Sequence, residues 1–78
     1  MKIQSVFQAS YLKVKGFKIG KVQWNKDTSL VDIEIEGDAE EIKRCINEYE
    51  FGGQVDAKRF TNELGYIKYL VKKYMPKN

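Results

Sequence analysis

Histidine is absent from this 78-residue chain, and cysteine occurs once, at Cys45. Without an imidazole, neither Ser-His-Asp nor Cys-His catalysis has a base to take the nucleophile's proton. A zinc site would have to be assembled from one thiolate and carboxylates, which is not how such sites are built. A lone cysteine closes no internal disulfide, which fits a reducing compartment. No apolar run approaches the ~18 residues of a membrane helix, and no secretory apolar stretch follows Met1, so a cytoplasmic location is expected. Glycine-rich phosphate loops and dinucleotide fingerprints are missing as well. These absences lead to the expectation of a non-enzymatic protein with no catalytic residues, no cofactor and no metal.

What is present is segregated charge. From Met1 to Ser29 six lysines stand against Asp27 alone. From Leu30 to Glu50 eight carboxylates stand against Lys43 and Arg44, and from Phe51 onward six basic side chains stand against Asp56 and Glu63. The net charge of +3 and pI near 9.0 conceal this alternation. Distinct electrostatic faces govern partner choice and encounter rate rather than fold. With 42% hydrophobic and 32% charged residues the chain has the composition of a folded protein. Its length predicts one domain over residues 1–78, built on one core.

Hydrophobic periodicity predicts the elements. Ile3, Val6 and Phe7 suggest a first strand over Lys2–Ala9. Leu12 and Val14 alternate with Lys13 and Lys15, predicting a half-buried strand over Tyr11–Lys15. Beyond Gly16, the apolar face switches parity between Phe17/Ile19 and Val22/Trp24, which a bulge near Gly20 would explain. Asn25–Thr28 is a turn cluster. Val31, Ile33 and Ile35 then alternate strictly with Asp32, Glu34 and Glu36. Gly37 ends that strand, and Asp38 with Glu41 has capping-box spacing. A helix follows with Ala39, Ile42, Cys45, Ile46 and Tyr49 on one stripe, stopped by Phe51-Gly52-Gly53. A second helix runs from Asp56 to about Tyr74, with Phe60, Leu64, Ile67, Val71 and Tyr74 as its core face. The alternative makes Gln54–Phe60 a fourth strand and starts the helix at Thr61. The predicted class is α+β: a small antiparallel sheet of about three strands followed by two amphipathic helices packed on one face. The joint Gly37-Asp38-Ala39-Glu40-Glu41 resembles strand-to-helix joints of small ferredoxin-like domains, acylphosphatases among them. The glycine-rich phosphate loop and arginine of that family are missing, so no activity follows.

Four groups of side chains are candidates for function. The ladder Asp32, Glu34, Glu36 could hold a hard cation, but a linear row of carboxylates is more simply a solvated face paired with lysines. Cys45 follows Lys43 and Arg44, yet neighbours on a helix diverge, so a buried inert thiol is expected. Lys13, Lys15, Lys18 and Lys21 interleave with Phe17 and Trp24, the pattern by which single-stranded nucleic acid is held. Lys15-Gly16-Phe17 echoes the start of an RNA-recognition signature, although the element order of that fold is not predicted. The simpler reading puts Phe17 and Trp24 in the core. Finally, Tyr69 falls opposite the core stripe of the second helix, with Tyr66, Lys58, Lys72, Lys73, Asn62 and Gly65 around it. Tyrosine set among lysines on a solvent face is the composition of a partner-binding surface.

The expected function is a small intracellular regulator, or a phage or mobile-element inhibitor, that docks on a larger protein or on a copy of itself. The alternative is a basic nucleic-acid-binding protein that uses a lysine-aromatic sheet face. No membrane contact is expected.

Overall fold

The computed structural model describes residues 1–76 and runs β1 (Lys2–Ile3), α1 (Val6–Val14), β2 (Lys18–Asn25), β3 (Leu30–Glu36), α2 (Ala39–Glu50) and α3 (Ala57–Tyr74). The strands form one antiparallel sheet in the order β1-β3-β2. The class is α+β, with three helices rather than the two expected. Because β3 lies between β1 and β2, α1 crosses from one edge of the sheet to the other, a split β-α-β unit.

The additional helix is the main correction. The strand expected over Lys2–Ala9 survives only as Lys2–Ile3, and the strand expected over Tyr11–Lys15 is the end of α1 and its C-cap. Ser5 begins the helix: its Oγ accepts from the Gln8 amide at 3.2 Å, satisfying a first-turn donor. Four consecutive residues, Ala9, Ser10, Tyr11 and Leu12, are then buried. These four residues span a full turn, so the middle of the helix has no polar side and the 3.6-residue period has little to alternate against. The buried Ser10 hydroxyl donates to the Val6 carbonyl at 2.6 Å, one turn back, so no polar atom is stranded. The apparent two-residue alternation arises because Lys13 and Lys15 leave the helix end for carboxylates on other elements.

The rest of the sheet follows the pattern. Register jumps from Ile19↔Ile35 to Val22↔Ile33, so Gly20 and Lys21 together oppose Glu34. This bulge restores the inward direction for Val22 and Trp24. The Asn25 side chain closes the hairpin by accepting from the amides of Asp27 and Thr28 at 2.9 and 3.3 Å. Val31, Ile33 and Ile35 are buried against the helices, with Ile3, Leu12, Ile42 and Ile67 in the same core cluster.

Both later helices begin at aspartates. Asp38 accepts from the Glu41 amide at 3.2 Å and Asp56 from the Arg59 amide at 2.9 Å. The cap at Asp56 commits the following residues to α3, and the alternative strand over Gln54–Phe60 does not form. Two positions leave the expected stripes: Ala39 and Tyr74 are exposed, and Leu70 packs on the core beside Val71. Tyr74 lies in the last turn, beyond the elements that cover Ile67.

One polar joint fixes α1 against α2. The buried Tyr11 hydroxyl donates to Glu48 Oε1 at 2.8 Å, and Lys15 Nζ lies 3.3 Å from the same oxygen. Burial, then the hydrogen bond to Glu48, raise the Tyr11 pKa, while the Tyr11 and Lys15 donors lower that of Glu48. Gly53 makes the joint possible. Its amide closes α2 by donating to the Glu48 carbonyl at 2.8 Å. A Cβ there would strike the Tyr11 hydroxyl and come within 2.9 Å of that carbonyl oxygen. Gly53→Ala should therefore destabilise the protein by about 1–3 kcal/mol, as overpacking does. Chemical denaturation measures this, and an unchanged midpoint would contradict the crowding.

Candidate functional site

The open face of the sheet, away from the helices, carries the acidic ladder. Asp32 is only 5% exposed, because Gln4 Nε2 and Asn25 Nδ2 donate to its two oxygens at 2.7 and 3.1 Å. These hydrogen bonds, the one from Gln4 foremost, hold its pKa below the ordinary carboxylate value. Glu34 Oε1 accepts from the N-terminal ammonium at 3.1 Å, and Glu36 faces Lys18 across the ladder. An open depression of about 410 Å³ lies here, lined by Lys2, Lys21, Gln23, Asp32 and Glu34. It mixes both signs of charge and converges on nothing. Among the described residues no three metal-ligating side chains come together.

Asp32 gives the stability a pH dependence of known sign. A depressed folded-state pKa contributes stability present above the unfolded value, and this is lost as pH falls through the folded one. The wild type should weaken as pH drops below about 4, and Asp32→Asn, already weaker at neutral pH, should weaken less steeply. Parallel acid titrations of the melting temperature would show equal slopes if the Gln4 and Asn25 bonds were unimportant.

The lysine-aromatic set is dispersed. Lys13 belongs to α1 and pairs with Glu63 of α3 at 3.3 Å. Lys15 caps α1, paired with Glu48 and 5.3 Å above the Tyr11 ring. Lys18 and Lys21 lie on the open face of β2, while Phe17 and Trp24 pack against the core. Helix formation over Tyr11–Val14 is what separates the first two lysines from the others. Cys45 is buried, and that burial raises its thiol pKa.

The α3 set is brought together. Ile67 is 1% exposed at the centre of the inner face, flanked by half-buried Phe60, Leu64, Leu70 and Val71. At about 100° per residue the opposite side holds Tyr69, and it is 62% exposed. Tyr66, Lys58, Lys72 and Lys73 are exposed around it. The one carboxylate of the helix proper, Glu63, is occupied by Lys13, so the outer face is basic. Gly65 sits in the middle of this face with ordinary helical sign of φ, and among the described residues nothing beyond its chain neighbours and its own helix backbone lies within 4 Å of where its Cβ would be. Two further exposed rings were not legible as such. Phe7 lies 5.8 Å from Lys68 Nζ, hidden by the strand reading of its segment although Ser5-Val6-Phe7-Gln8 has helix-start spacing. Phe51, 84% exposed, looks in sequence like a mere helix stop.

No family model, curated protein or solved structure matches this chain.

Two neighbouring residues of α3 should behave oppositely. Ile67→Ala should cost roughly 2–5 kcal/mol through a core cavity, and Tyr69→Ala within about 0.5 kcal/mol. Gly65→Ala should raise stability by about 0.5–1 kcal/mol, since the methyl group meets open space and the helix propensity improves. Thermal melts of the three variants check the orientation of α3. A large loss at Tyr69 would mean its ring is packed.

Proposed function

We propose that this protein is a non-enzymatic intracellular binding protein that docks on a larger protein through the outer face of α3. A regulator, or an inhibitor from a phage or mobile element, is the role that fits such a module. The observation that carries the reading is Tyr69, exposed among lysines on a helix whose other side is packed against α1 and β2. A tyrosine presents rigid aromatic area at small entropic cost, and such rings anchor interfaces. The surrounding Lys58, Lys72 and Lys73 would steer an acidic partner and set the salt dependence of its association.

Nucleic-acid binding is the second reading. With Lys13 and Lys15 held in ion pairs, it would draw on the cations and rings of α3 instead. Salt separates the two. Neutralising about three phosphates would give single-strand affinity a log–log salt slope near −2. The expectation is no single-strand complex tighter than about micromolar at physiological ionic strength. Capture from the native host, with and without nuclease, should retain a protein that Tyr69→Ala releases, weakened by about 1 kcal/mol or more. A nuclease-sensitive complex, or one indifferent to Tyr69→Ala, would remove the docking role. Sedimentation of the purified protein tests whether the bound partner is a second copy.

A further inference from the structure

We infer that the partner of α3 is an acidic amphipathic helix, laid along the helix with its backbone over Gly65. This inference rests on the docking role proposed above and specifies its occupant. Lys58, Asn62, Gly65, Tyr69 and Lys72 recur at intervals of four, three, four and three, all exposed. That spacing lines these side chains up along one side of the helix, with cations at the ends, a glycine in the middle and one aromatic ring beside it. On the opposite side the stripe Phe60, Leu64, Ile67, Val71 faces the rest of the molecule, whereas the Lys58–Lys72 side is uncovered among the described residues. At about 1.5 Å per residue, Lys58 and Lys72 stand about 21 Å apart with Gly65 midway.

Gly65 carries the argument. A glycine within a helix is unfavourable, and nothing among the described residues requires it: φ is not positive and no other element occupies the space where its Cβ would be. A cause outside the chain remains, the close approach of another backbone, which small residues permit between helices. The charges select that backbone. Lysines at both ends of this row call for carboxylates toward both ends of the partner, with a small residue between them. A second copy fits poorly, because antiparallel pairing about Gly65 sets Lys58 of each copy against Lys72 of the other. Nucleic acid would use the lysines and rings but gains nothing from the glycine.

The test is titration of the whole protein, at low ionic strength, with three probes. The first is a synthetic helical peptide of about 21 residues with glutamates near both ends and an alanine seam. The second has the same composition interrupted by prolines, and the third is a single-stranded oligonucleotide. The helical peptide should bind at least about tenfold tighter than the interrupted one. Gly65→Leu and Tyr69→Ala should each weaken it at least about tenfold, with unchanged circular dichroism. Absence of binding, equal affinity for both peptides, or preference for the oligonucleotide would each overturn the inference. Indifference to Gly65→Leu would overturn it too. If Tyr69→Ala still weakens capture of the native partner in that case, the docking face stands without its helical occupant. If neither variant matters to any complex, both are lost.

Discussion

Burial of the Tyr11 hydroxyl is the constraint from which the arrangement of the helices follows. α1 passes through the middle of the molecule, packed on α2, α3 and β2, and carries a phenol into that interior. Left without an acceptor, such a group costs about 1–3 kcal/mol. Glu48 supplies the acceptor from the last turn of α2, and Lys15, one turn beyond Tyr11, offsets the carboxylate's charge. The helices are thereby fixed in register at one point, reinforced by the tilted Tyr11–Tyr49 ring pair at 5.3 Å. The contact places the end of α2 against α1 and leaves room there only for a residue without a side chain, Gly53.

With α1 occupying the interior, α3 becomes an outer element. It covers α1 and the edge strand β2, and its own far side is left without a neighbour among the described residues. The Lys13–Glu63 bridge between α1 and α3 has a further effect. By engaging the carboxylate of α3, it leaves that helix's remaining charges all of one sign. A surface salt bridge of this kind adds little stability. Its consequence is electrostatic, since it sharpens the contrast between a basic helix face and the mixed charge of the open sheet face.

How legible each part was depended on whether an element has two unlike sides. β3 has an apolar face and a carboxylate face, so its alternation identifies both the strand and its orientation. The bulge at Gly20 was readable because a parity switch in apolar residues has few other causes. α2 and α3 each bury one stripe and expose another, and both were readable from spacing and a capping aspartate. α1 was not, because its middle turn, Ala9–Leu12, is buried all round while apolar Phe7 is exposed, which erases the contrast that periodicity depends on. The signal that remained was local: Ser5 and Gln8 at capping spacing. Misreading α1 carried a cost for function as well, since it lined up Lys13 and Lys15 with Lys18 and Lys21 on a face that does not exist. The α3 surface was legible because Tyr69 follows from helical geometry alone once Ile67 faces the core.

Three glycines differ in what requires them. Gly53 has a complete explanation inside the molecule: the Tyr11 hydroxyl and the Glu48 carbonyl occupy the space a methyl group would need. Gly52, with φ of +87°, is explained by the backbone turn that ends α2. Gly65 has neither kind of explanation, for its backbone is helical and its surroundings are empty. A residue that weakens its own helix, and that no described neighbour or backbone turn requires, is the one the proposed partner would account for. Its position beside Tyr66 and Tyr69, midway between Lys58 and Lys72, is what the proposed acidic helical partner would explain.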